Sequence, residues 1–161
     1  LILMTGGIGT SLNALSAQPP YRPPVAVERD HRTIEVAADG TYTETRETAY
    51  RIKTAKGAED YGSHDIDYIA SQEEILSIEA WTVTPEGDRL PVLPAAIRDR
   101  EEDNSGGVAQ FSDAKVKSII FPQVTVGSLV AFKVVSRFHV TSYPGEFGRP
   151  FLFRYRLSIL R

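Results

Sequence analysis

Apolar and polar positions alternate with a period of two along most of the chain, the mark of half-buried β-strands. Ile34 and Val36 flank Glu35 and lead into Asp39-Gly40, a strong hairpin signal. A type I′ turn is expected there, because Asp-Gly tolerates positive φ at both central residues. The segment from Thr41 to Thr54 follows as a Thr- and Tyr-rich strand. Tyr42, Glu44, Arg46, Thr48, Tyr50 and Ile52 share one face, polar until Tyr50, as suits a sheet with one wet side. Residues 56–72 are expected to be a polar connection with a short strand from Ile66 to Ala70. Ile75 to Val83 is apolar on both faces, which predicts a doubly covered strand with Trp81 packed in the core. Thr84-Pro85-Glu86-Gly87 is a β-turn, and Arg89 to Leu93 returns from it.

The C-terminal third carries the clearest alternation. Val116, Ile119, Ile120 and Phe121 end at Pro122, and Val126-Gly127-Ser128 turns. Val130, Phe132, Val134, Phe138 and Val140 then recur at even positions, and Phe151, Phe153, Tyr155, Leu157 and Ile159 form an unbroken stripe. Because this last stripe stops at Arg161 without a turn, a further strand is expected to pair with it, and the sheet is expected to be truncated at its C-terminal end. PAAIRDRE at 94–101 suggests at most one helical turn. No segment sustains a 3.6-residue period, so the fold class is all-β: an antiparallel β-sandwich, immunoglobulin-like or related.

Residues 1–17 depart from this pattern. They carry no charge, are apolar and small, and break into QPPYRPP. That is the apolar core and cleavage region of a secretory signal, with Ala14 and Ser16 at the small-residue positions for a cut after Ser16 and a cut after Ala17 as the alternative. The glycines at 6, 7 and 9 imitate a dinucleotide loop, but the prolines at 19, 20, 23 and 24 leave no helix to follow it. The organisation predicted is a signal-peptide remnant at 1–17, a Pro-rich extended linker at 18–24 and a β-sandwich domain at 25–161, in a protein exported to the periplasm or secreted, and not membrane-spanning once processed.

Composition narrows the chemistry. The 161 residues hold 18 Lys plus Arg against 21 Asp plus Glu, a net charge of −3 that disfavours nucleic acid. The chain has no cysteine, which removes disulfides, thiolate metal sites and a Cys nucleophile from these residues. The three histidines, His31, His64 and His139, lack metal-ligand spacing. His139 should sit solvated on the outer side of its strand. Ser112, Asp113 and His139 supply the residue types of a triad without a nucleophile turn. His64 with Asp65, Asp67, Asp60 and Tyr61 offers paired carboxylates, but a polar loop with capping aspartates is the plainer expectation. Asp99, Glu101, Glu102 and Asp103 are oxygen donors without the spacing of a calcium loop, so a solvated acidic loop is expected over 99–110. No catalytic residue, cofactor or metal ligand is therefore assigned. An exposed aromatic face for a glycan is disfavoured as well, since Tyr42 and Tyr50 stand about 26 Å apart at strand rise.

From Ala38 onward the string resembles a bacterial family. The segments ADGTYTETRETAYRIKTAKGAEDYG, ILSIEAWTVTPEGDRLPV and FSDAKVKSIIFPQVTVGSLVAFKV carry the resemblance in order and spacing. Its hallmarks here are Asp39-Gly40, Tyr50-Arg51-Ile52, Ala80 with Pro85-Glu86-Gly87, Phe121-Pro122 and Gly127. The family is the domain of unknown function found at the N-terminus of exported transglutaminase-like proteins. The resemblance implies a β-sandwich ahead of a papain-like Cys-His-Asp domain, whose thiolate would attack an amide carbonyl. It implies a noncatalytic accessory role, with the transglutaminase-like domain as partner in cis. The alternative is a free-standing envelope module that binds a peptide or glycan.

Overall fold

The computed structural model describes residues 21–101, 113–139, 147–148 and 158–159. The expected signal peptide, the acidic run from Glu102 to Gln110, Ser112 and the stripe from Phe151 to Leu157 lie outside the described residues. The strands are β1 Val25–Val36, β2 Tyr42–Ile52, β3 Ser63–Ile69, β4 Glu73–Val83, β5 Arg89–Pro91, β6 Ile97–Glu101, β7 Ala114–Ile120, β8 Leu129–Phe138 and β9 Ser158–Ile159. One helix, α1 Ala55–Asp60, and a 3-10 turn at Pro94–Ala96 complete the described elements. Among them no helix is long and apolar enough to cross a membrane.

Two sheets face each other as a sandwich. The larger has the order β5-β4-β8-β2-β1-β9, the smaller β3-β7-β6. Every described pairing is antiparallel except the two-residue contact of β1 with β9, which is parallel, so the fold is the all-β, antiparallel sandwich expected. Phe132, Val130, Val134, Ala80, Val25 and Ile52 of the large sheet pack against Ile119 and Phe121 at the small one. At about 25 cal/mol per Å² of apolar area removed from water, this two-sided burial is the chief driving force for the fold.

Both hairpin loops use one device. The Ala37 N–H donates to Thr41 O and the Gly40 N–H to Ala37 O; the Thr84 N–H donates to Asp88 O and the Gly87 N–H to Thr84 O. Only the glycine of each loop has positive φ, 88° at Gly40 and 101° at Gly87. The first turn is therefore a three-residue loop with one left-handed glycine, not the type I′ turn that Asp39-Gly40 suggests. Asp39 keeps φ negative and caps the turn instead. Its carboxylate accepts from the Thr41 hydroxyl at 2.7 Å and amide at 3.0 Å, and these bonds hold it below the usual carboxylate range.

The polar connection at 56–72 is in fact α1 and β3. Thr54 caps the helix by accepting from the Gly57 N–H at 3.0 Å. The last proline of the extended segment is tied down there: Pro24 O accepts from Lys53 and Thr54 N–H at 2.9 and 3.3 Å. Gly57 is required by that contact, since a Cβ on it would fall 2.2 Å from Pro24 O.

Candidate functional site

β4 departs most from its predicted packing. A bulge between Ile75 and Ser77 shifts its register against β8. One extra residue reverses the alternation, so Ile75, Ile78 and Ala80 all turn inward while Leu76 is left 41% exposed. Trp81, paired with Ala131, consequently lies on the outer face of the large sheet, half-buried, and not in the core. There it forms one wall of a cleft of about 470 Å³.

Two neighbouring alanines make the depth of this cleft. Ala49 on β2 and Ala131 on β8 are direct cross-strand partners. With Leu129 beside them they give a low apolar floor between taller side chains. The wall opposite Trp81 is closed by two ion pairs, Arg29 to Glu47 at 2.5 Å and Arg51 to Glu28 at 2.7 Å. The second is bidentate, and Arg51 also donates to Gly127 O at 3.1 Å. On the Trp81 side the Arg89 guanidinium stacks over the indole at 4.0 Å, and Lys133 lines the cleft two residues along β8 from Ala131. The dimensions suit a small ligand or a peptide side chain. Sequence alternation does not reveal this site because the bulge that turns Trp81 outward leaves no periodic signal. The alanine pair becomes visible only once β2 and β8 are in register.

The inner face of the same sheet changes character along its length. Near Val25, Ile52 and Val130 it is apolar; toward Arg32, Glu44 and Ser136 it is polar. Glu44 is buried, with Arg32 at 3.7 Å, and Arg46 lies 5.9 Å from the Phe132 ring. His64 sits at the boundary, stacked on Phe132 with centroids 4.3 Å apart. Burial, and secondly the Arg46 charge, depress its imidazolium to a pKa of about 4, against partial compensation by Asp65 and Asp67. Among the described residues, Asp30 Oδ1, Arg46 Nε and Thr48 Oγ1 are buried on this face without a hydrogen-bond partner.

The groupings of residues suggested by the sequence are mostly dispersed. β3 alternates, so His64 points inward while Asp65 and Asp67 point out. Asp65 accepts from Ser118 Oγ at 2.6 Å and from Arg100 at 2.8 Å, and Asp60 pairs with Lys56 one helical turn away. Asp65 and Asp60 thus serve separate contacts, away from the His64 ring. Tyr61 packs edge-on against Tyr50, and Tyr42 stacks on Phe138, so the two β2 tyrosines join different aromatic contacts. Asp113 accepts from the Ser71 amide at 2.9 Å and His139 is exposed, as expected of it; Ser112 is outside the described residues. The first residues of the expected acidic loop, 99–101, belong to strand β6, with Asp99 paired to Lys117. The expected helical turn at 94–101 is reduced to the 3-10 turn before it. Among the described residues no group of three or more His, Asp or Glu could hold a metal ion.

Comparison with known proteins agrees with this architecture. No curated protein matches the chain. A solved structure from Parabacteroides distasonis ATCC 8503, described as a "putative protease", superposes with a TM-score of 0.66 at 13% sequence identity. The match covers 75% of this chain but 24% of that one, so the chain spans about a quarter of the larger protein's length. A family model, the Domain of Unknown Function with solved-structure structure (DUF3857), matches residues 38–159. Those residues run from the first hairpin loop to β9 and include strands of both sheets and the Trp81 side of the cleft, with β1 lying ahead of them; the chain belongs to the DUF3857 family.

Proposed function

We propose that this sandwich is a noncatalytic accessory module of an exported protein, N-terminal to a thiol-dependent, transglutaminase-like catalytic domain, and that it holds substrate for that domain. One observation carries the reading. The same fold occupies only 24% of a longer chain that is itself described as a "putative protease", as expected of a module that accompanies a catalytic unit. The dispersal of His64, Asp65 and Asp67 over two faces of β3 supports placing the chemistry elsewhere. A free-standing envelope binding module would use the same cleft; the two readings part on whether a catalytic domain follows in frame.

Alkylation tests this directly. Residues 1–161 contain no cysteine, so a reactive thiol in the full-length protein must lie beyond them. The expected result is amide or isopeptide hydrolysis by the full-length protein that falls to background on treatment with iodoacetamide, with the modification mapped outside residues 1–161. Hydrolysis that survives complete alkylation overturns the reading.

A further inference from the structure

The β1–β2 loop joins Asp39 to Gly40, the dipeptide in which aspartate converts most readily to isoaspartate, because glycine puts no side chain in the way of its own nitrogen. Every other Asp of the chain precedes a residue that carries a side chain, and no Asn precedes Gly. The reaction is internal to the two residues. The Gly40 nitrogen attacks Asp39 Cγ; an N–Cγ bond forms, and the amide proton and the carboxyl hydroxyl leave together as water. The succinimide ring that results takes up water at either carbonyl. One opening restores Asp39; the other leaves the main chain running through Cγ, with the mass of the chain unchanged.

The folded loop opposes the first step at both reacting groups. Asp39 Oδ1 accepts from the Thr41 hydroxyl at 2.7 Å and the Thr41 amide at 3.0 Å, which aims the carboxyl at the residue beyond Gly40. The same bonds favour the ionised carboxylate, which lacks the hydroxyl that must leave. The nucleophile is engaged as well: Gly40 is buried, and its N–H donates to Ala37 O at 3.0 Å. The product does not fit the closed loop either. Isoaspartate adds one main-chain atom between Ala37 and Thr41, whose N–H to O bond of 2.8 Å closes the turn and sets the register of Val36 with Tyr42. We propose that Asp39-Gly40 is the isoaspartate-forming site of this chain and that the Thr41 hydroxyl keeps it unconverted while the β1–β2 loop is closed. This inference does not depend on the accessory reading.

Tryptic cleavage after Arg32 and Arg46 isolates the segment Thr33–Arg46, in which Asp39 is the sole Asp or Asn, so isoaspartate found there reports this site alone. The full chain is aged in neutral buffer, digested, and that segment scored for isoaspartate by electron-transfer fragmentation. The free synthetic peptide 33–46 and a sample aged in guanidinium chloride are followed beside it. Conversion in the folded chain should run at least about tenfold slower than in the peptide, the scale of one hydrogen bond to a charged group. The denatured chain should match the peptide. Thr41→Val removes the hydroxyl and should speed the folded chain about threefold, while Thr41→Ser, which keeps it, should stay at the wild-type rate. In the free peptide Thr41→Val should change nothing, which separates the loop contact from an effect on the chemistry itself. Equal rates in folded chain and peptide, an unchanged rate in Thr41→Val, the same acceleration by Thr41→Val in the peptide, or Thr41→Ser as fast as Thr41→Val would each overturn the proposal.

Discussion

Replacing Phe132 with alanine is expected to cost about 3–5 kcal/mol, the range for deleting a large buried aromatic. Phe132 is 2% exposed at the centre of β8, itself between β4 and β2. Its ring contacts both layers: His64 of β3 stacks on it at 4.3 Å and Phe121 lies at 6.4 Å. The cavity left by alanine would be walled by two sheets that cannot both collapse into it. Domains of this kind hold roughly 5–15 kcal/mol in total, so a loss of this size takes a large part of the margin. In a thermal melt it corresponds to a fall of about 6–20 °C. Ile120 is the internal control. It is 39% exposed on β7, and Ile120→Ala should change stability by no more than about 0.5 kcal/mol. Urea titration of both variants checks the pair. Equal losses would mean that the two sheets do not share one core.

Acid is expected to destabilise the protein through His64. Its folded pKa of about 4 lies below the ordinary value of 6.5, so below pH 6.5 the unfolded chain takes up a proton that the native state refuses. The contribution of His64 to stability is therefore full above pH 6.5, falls as the pH drops toward 4, and is gone below that. At 1.36 kcal/mol per unit the loss is about 3 kcal/mol. His64→Leu keeps the apolar contact with Phe132 and removes the proton site. Its stability should fall less than that of the wild type between pH 6.5 and 4 by about that amount. Arg46→Gln removes the second cause and should lessen the acid loss in part. Urea titrations at pH 7 and pH 4 measure both, and parallel pH profiles for wild type and His64→Leu would contradict the buried, neutral imidazole.

Much of the fold is legible in the sequence because period-two alternation maps directly onto pleated strands. The β1–β2 hairpin, the turn at Pro85-Gly87 and the run of β8 all follow from it. Three features escape for physical reasons. The turn at Asp39-Gly40 is located correctly but mistyped, since a single left-handed glycine closes a three-residue loop as well as two positive-φ residues close a two-residue one. The bulge in β4 is one inserted residue in a strand apolar on both sides, so no change of character marks it, yet it moves Trp81 from the expected core to the surface. The inward direction of Glu44, Arg46 and Thr48 is set by which face of the large sheet the small sheet covers, a long-range fact that local alternation does not contain. The cleft inherits the second difficulty. Its wall depends on the bulge and its floor on the register of Ala49 with Ala131 across strands some eighty residues apart in sequence.

The most direct measurement of the central claim is a turnover assay of residues 18–161 alone, with fluorogenic peptide and ε-(γ-glutamyl)lysine isopeptide substrates, in the presence and absence of a chelator. A noncatalytic accessory module predicts no hydrolysis above the buffer rate under either condition, while the cooperative urea transition shows the same sample to be folded. Hydrolysis that persists with the chelator and is lost in His64→Ala would contradict it and place the chemistry inside the sandwich.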